Sequence, residues 1–309
     1  MTSIEPRNLR TRPQEDGQPA LDDPRPETLP NTGRLRSRRR ARSVLVTVTF
    51  AVVALALGIG IWQAAVSIYH PPKYIIPPPS AVWEALRSLV STSPSTPGNM
   101  WSQLGSTLEG TLFGFLLGSA AGIFLGILAG ESDFMRRLLY PYLVAIQSIP
   151  KVALVPVFAT WFGFGLTAKV ALVITLVFFP VLVNTLQGIV MSDPDQIDLL
   201  RSLSANRFQR LWRIRIPGAF PMIFTGLELG IVFAFLGSVL TEMQGQQSGL
   251  GVMLSTFQTN ADTEATFALL IIFAIVGYLL NMIMRIIHKR VVFWESDATA
   301  RLRATAQNG

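Results

Sequence analysis

The sequence predicts an all-α membrane protein with six transmembrane helices, and three observations carry that expectation. Half of the 309 residues are hydrophobic and only 15% are charged, whereas an ordinary soluble domain has about a quarter charged. Long apolar stretches recur along the chain, each able as a helix to cross the ~30 Å hydrocarbon core. The basic residues behind the net charge of +7 are gathered in short runs beside those stretches. That arrangement signals topology rather than nucleic-acid binding.

Residues 1–43 are rich in Pro, Arg, Asp and Glu and poor in aromatics. They bury too little apolar area to offset the entropy of ordering, so a disordered basic cytoplasmic tail is expected. An apolar run of 25 residues, Val44 to Ile68, follows the cluster Arg36–Arg42. At ~1.5 Å per residue it is longer than the hydrocarbon core and reads as an uncleaved, tilted anchor. Further spans are expected at 104–130, 138–162, 168–190, 220–241 and 266–288. Together they give a transmembrane domain over 44–290 and a cytoplasmic C-terminal tail over 291–309. With the N-terminus inside, the inside segments hold 22 Lys/Arg (ten, two, five and five in order) and the outside segments hold Lys73, Arg87 and Lys169. This positive-inside bias places both termini in the cytoplasm of a multi-pass inner-membrane protein.

In the first outside loop, Ser80 is the expected N-cap of an amphipathic helix from Ala81 to Val90. Trp83, Leu86 and Val90 would lie on one face, resting at the lipid headgroups. The second span spaces Gly110, Gly114, Gly118, Gly122, Gly126 and Gly130 four residues apart. That stripe suits close backbone packing between membrane helices.

Several enzyme classes are excluded by residue content. With no cysteine there is no disulfide, thiolate metal site or cysteine nucleophile. No His-Glu-x-x-His helix exists for zinc proteolysis, and neither His70 nor His288 neighbours a plausible serine nucleophile. None of the four lysines, Lys73, Lys151, Lys169 and Lys289, is preceded by Gly and followed by Ser or Thr, so no Walker loop is present. No cofactor is expected on this chain.

The inside segment 192–217 is the most distinctive. Asp193-Pro194 is a helix start, Ile197, Leu200 and Leu203 share one face, and Phe208, Leu211 and Trp212 share another beside Arg207, Arg210 and Arg213. Taken alone, this pattern also suits helices lying on anionic lipid. The spacing Asp198-Leu199-Leu200, three residues, Ser204, nine residues, Ile214-Arg215-Ile216-Pro217 resembles the EAA loop of bacterial binding-protein-dependent ABC importer permeases, Glu-Ala-Ala-x3-Gly-x9-Ile-x-Leu-Pro. Gln147-Ser-Ile-Pro-Lys-Val-Ala-Leu-Val-Pro156, Trp161-Phe-Gly163, and Glu242 with Ser248-Gly-Leu-Gly251 are similar to the nitrate, sulfonate and taurine branch. The resemblance covers about Val66 to Phe293. Asp198 stands where that family has Glu, Leu199 and Leu200 replace two alanines, and Ser204 replaces a turn glycine.

The resemblance implies a type I, MetI-like permease fold acting as the translocation subunit of an importer. It implies a homodimer, an extracytoplasmic solute-binding protein, and two cytoplasmic ATPase subunits that use ATP and Mg. Asp198, Leu199, Leu200, Arg201, Leu203, Ser204, Phe208, Ile214, Ile216 and Pro217 would dock the ATPase. Its cargo would be a small organic anion such as a sulfonate, taurine or nitrate. Gln147, Pro150, Lys151, Pro156, Trp161 and Glu242 are the pathway candidates. Lys151 is the only lysine well inside an expected span, Lys169 falling at the outer edge of 168–190. Charge inside a span is costly unless it faces protein or water, and Pro141, Pro150 and Pro156 interrupt the same helix as Lys151. A structural lysine bonded near a kink fits equally well. Glu228 and Glu242 could each pair with Lys151 or with the neighbouring subunit. An ion-gradient-driven transporter or channel is the alternative, although the paired repeats with buried carboxylates that it calls for are not evident.

Overall fold

Arg and Leu are good helix formers, and a helix nucleated in an apolar run extends backward at little cost. Accordingly α1 runs Thr32–Tyr69, so residues 32–43 are helical rather than part of a disordered tail. The computed structural model describes residues 32–72, 75–93, 96 and 98–294, and the regular elements among them are all helical. The rest of the two expected tails lies outside the described residues. The chain divides after Gly60 into two units. Among the described residues, the first holds the N-terminal part of α1. The second begins at Ile61 and holds everything that follows here.

Among the described residues, four helical runs are long and apolar enough to cross a membrane. They are α3 (Met100–Glu131), α6 (Leu166–Val190), the stretch from Arg207 to Glu242 that ends in α9 (Ile216–Glu242), and α11 (Thr263–Val291). These coincide with the expected second, fourth, fifth and sixth spans, and the first lies within α1. The third is not one helix. α4 (Asp133–Gln147) ends before Ser148–Pro150, and a 3-10 turn, Lys151–Leu154, leads into α5 (Val155–Phe162). Pro150 lacks an N–H and drives the residue before it out of the helical region, which ends α4. Pro156 sits in the first turn of α5, where a proline is tolerated, and so begins a helix rather than breaking one.

α2 (Pro79–Ser91) is capped at Pro78 and has Pro79 in its first turn, so Ser80 is not the cap. Its inner face is also different. Val82 is buried, and Leu86 and Leu89 pack with Met100, Leu254 and Leu269, while Trp83 and Val90 are exposed. Positions 82, 86 and 89 follow helical periodicity as well as 83, 86 and 90 do, and the apolar cluster decides between them. After α11, Val292 is buried in one cluster with Phe224 and Met284, while Phe293 and Trp294 beyond it are exposed.

The core is a three-helix cluster in which α6 packs along both α3 and α9, and α3 and α9 also meet, as where Thr111 donates to Ser238 at 3.0 Å. The glycine stripe of α3 lies on α6 over its whole length: Gly114 faces Val173, Gly118 Val177, Gly122 Val181, Gly126 Thr185 and Gly130 Ile189. A Cβ on Gly226 or on Gly230 of α9 would likewise lie 3.2 Å from Val181. Val173, Val177 and Val181 are fully buried between these two helices. A Cβ at position 122 would sit 2.8 Å from the Phe178 carbonyl oxygen, which is backbone and cannot swing aside. Gly122→Ala is therefore expected to destabilise by ~1–3 kcal/mol through overpacking. Gly105→Ala, which meets nothing within 4 Å, should be neutral or slightly stabilising. Thermal unfolding in detergent compares the two.

Candidate coupling loop and a buried ion pair

The loop between α6 and α9 is built from local signals. Asp193 caps α7 (Pro194–Ser202) by accepting from the Asp195 N–H at 3.0 Å, and Ile197 is the residue that α7 buries. Ser204 then adopts φ +59°, the left-handed conformation in which the family pattern has glycine. Asn206 opens the one-turn α8 (Arg207–Arg210) with a reciprocal capping box. Its side chain accepts from Gln209 N at 2.8 Å, and the Gln209 side chain accepts from Asn206 N at 2.9 Å. The Asn-x-x-Gln spacing carried that signal in the sequence. A π-helical turn, Leu211–Arg215, joins α8 to α9, with Pro217 in the first turn of α9.

Large apolar side chains stand outward from this loop. Leu199, Leu203, Phe208 and Trp212 are 62%, 69%, 68% and 57% exposed, and the Phe208 and Trp212 rings lie 5.9 Å apart. Leu200 is half-buried, as are Ile214, Ile216 and Pro217 at the base. Leu211 and Ile216 pack on Ile189, Ala219 and Ile223, together with Ile123 and Ile127 of α3. Asp198 pairs with Arg201 at 2.8 Å on the surface. Arg215 donates to Glu131, the last residue of α3, at 2.7 Å.

The pathway candidates do not converge. Lys151 lies with its ammonium 5.8 Å from the ring centroids of both Phe179 on α6 and Phe233 on α9, a cation–π arrangement. No carboxylate pairs with it among the described residues. Pro150, Pro156 and Trp161 are exposed, and the Gln147 side chain lies outside the described residues. Glu228 is held instead by His288 Nδ1 at 2.6 Å and Arg285 Nε at 3.6 Å, both on α11.

Glu242 is paired with Lys169, at 2.8 Å, and both side chains are almost wholly buried. Lys169 therefore belongs to the core of α6 and not to an outside loop. A lysine four residues past a glycine turn, ahead of a long apolar run, has the sequence appearance of a flanking charge. Its partner comes from a distant helix, so only the packing of α3, α6 and α9 brings the two together. Glu242 Oε2 also accepts from Thr107 at 3.0 Å and from Gly251 N at 2.9 Å. Lys169 Nζ donates to Ser106 O at 3.2 Å. Thr107 Oγ1 accepts from Leu250 N at 2.8 Å, and Gln103 Oε1 accepts from Gly249 N at 2.5 Å. The turn before α10 (Leu250–Thr259) thus hangs on α3 around the ion pair. Glycines make room for it: a Cβ on Gly110 would collide with the Lys169 stem, and one on Gly249, at φ +129°, with the Glu242 carboxylate.

A bundle of apolar spans with one broken span, a buried ion pair and an outward-facing apolar loop defines a polytopic membrane protein. Residues 122–293 match the family described as binding-protein-dependent transport system inner membrane component, and the chain belongs to that family. It is 31% identical over 237 residues to SsuC of Bacillus subtilis, named for aliphatic sulfonates transport, covering 77% of this chain and 84% of that one. It is 32% identical over 240 residues to the riboflavin transport system permease protein RibX of Chloroflexus aurantiacus, covering 76% and 86%. An inward-facing structure of the MetNI methionine ABC transporter aligns at a TM-score of 0.51 and 16% identity, over 69% of this chain and 98% of that one. The type I, MetI-like permease fold is shared, and the chain is an ABC transporter permease of the inner membrane.

Proposed function

We propose that this chain works as a homodimer, receives cargo from an extracytoplasmic solute-binding protein, and docks two cytoplasmic ATPase subunits on its 192–217 loop. The observation that carries this reading is the row of exposed apolar side chains at 199, 203, 208 and 212 on a loop rimmed by arginines. Such a row suits burial in a partner's groove. The ATPase would supply ATP and Mg, and this chain would bind neither. Both termini lie in the cytoplasm on this reading. With Lys169 withdrawn into the core, the outside segments keep only Lys73 and Arg87 of their three basic residues, against 22 inside, which strengthens the bias. Copurification of tagged chain with an ATP-binding subunit tests the docking, and tags at position 20 and at the C-terminus, both inaccessible from outside intact cells, test the topology.

The cargo on this reading is a small organic anion such as a sulfonate, taurine or nitrate. Lys151 supports it, because an ammonium at a helix break, held over two aromatic rings with no carboxylate partner among the described residues, is suited to attract an anion. Lys151→Met should cut uptake of anionic cargo about tenfold or more, the loss of one charge-assisted contact, while Lys151→Arg keeps most of it. Uptake of taurine and a panel of alkanesulfonates provides the assay. Wild-type uptake by Lys151→Met would remove the lysine from the pathway.

A further inference from the structure

The docking loop and the buried ion pair are attached to opposite ends of one helix. At the C-terminal end of α3, Glu131 accepts from Arg215 at 2.7 Å, and both side chains are about three-quarters buried. A charge-assisted bond so shielded keeps its geometry far better than the exposed Asp198–Arg201 pair. The same end shares an apolar cluster with the loop, since Ile123 and Ile127 pack on the same Ile189, Ala219 and Ile223 that Leu211 and Ile216 pack on. Near the other end, Gln103, Ser106 and Thr107 hold Gly249, Lys169, Leu250 and Glu242. Thr107 and Glu131 are about 36 Å apart along the axis at ~1.5 Å per residue. Between them the glycine stripe seats α3 directly on the backbone of α6, and close-packed contacts of that kind transmit displacement rather than absorbing it.

We propose that α3 is the rod that carries movement of the docking loop to the turn and helix at 245–259, with Arg215 and Glu131 as positioning residues at its input end. The proposal rests on the docking reading of the loop. It assigns the Arg215–Glu131 pair a role in transmission, separate from the residues that grip the ATPase. Removing the pair should leave the ATPase bound and weaken the response of α10 to it, since α9 alone then joins the loop to Glu242 and the Gly251 N–H.

The chain has no cysteine, so a single cysteine placed at Thr256, an exposed position on α10, can carry a bimane label alone. The complete transporter, with its ATPase in lipid nanodiscs, is compared before and after trapping with ATP and vanadate. The unsubstituted background should show a shift in bimane emission. Glu131→Gln, at normal abundance and with normal ATPase content, should lose at least two-thirds of that shift. The exchange Glu131→Arg with Arg215→Glu should recover at least half of the loss, which a general weakening of the fold would not allow. A full response in Glu131→Gln, no recovery in the exchanged pair, or a label that fails to respond in the unsubstituted background would each overturn the proposal and leave docking intact. Failure of the unsubstituted chain to hold an ATPase would overturn the docking reading, and transmission with it.

Discussion

Leu203→Asp is expected to weaken ATPase copurification about a hundredfold and abolish transport, while the protein reaches the membrane in normal amount. Leu203 is exposed and lies at the end of α7, beside the left-handed Ser204. Its substitution therefore disturbs no internal packing. In a docked complex the aspartate would be an unpaired charge inside an apolar groove, at a cost of about 3 kcal/mol or more, equivalent to a hundredfold in affinity. Leu199→Asp should behave alike. Leu200 is the poorer probe, because it is half-buried within the chain and its loss mixes folding with docking. Arg201→Ala should be milder, as its pair with Asp198 is mostly exposed and solvent screens it. Normal ATPase content and wild-type transport in Leu203→Asp would return the loop to the role of a lipid-surface helix.

Hydropathy and glycine spacing made most of the bundle legible. Four spans depend only on length and apolarity, and the stripe from Gly110 to Gly130 depends on a four-residue repeat suited to close helix packing in lipid. The 192–217 loop was legible because its signals are local: a capping aspartate, a proline in the first turn, and a fixed distance to Ile-Arg-Ile-Pro. The break at Ser148–Pro150 was half visible. The three prolines were evident, but the steric rule for the residue before a proline, applied at Ile149, turns a kink into a helix break. Lys169 was hidden for a different reason. Charge counting sees a lysine only against its sequence neighbours, whereas its position is set by Glu242 and by the space that Gly110 leaves for its stem. Pairing across helices is a tertiary fact, and for the same reason the pairing of Glu228 with His288 is not visible in the sequence.

The largest stability effect is expected from Lys169→Met. It removes one half of a pair whose side chains are 4% and 0% exposed, and so strands the Glu242 carboxylate with only the Thr107 hydroxyl and the Gly251 N–H to compensate it. Breaking a buried pair from one side typically costs ~3–5 kcal/mol, a large part of the stability of any domain. Glu242→Gln should be less severe, since the ammonium it leaves keeps its bond to the Ser106 carbonyl oxygen and the new amide oxygen can still accept from Gly251. The double variant, Lys169→Met with Glu242→Gln, should recover more than half of the loss seen in Lys169→Met, because no unpaired charge remains and the turn before α10 keeps its bonds from Leu250 and Gly249 to α3. Thermal unfolding in detergent and the yield of monodisperse protein measure all three. Strict additivity of the two single effects would show that the charges do not stabilise one another, and the turn would then be held by Thr107 and Gln103 alone.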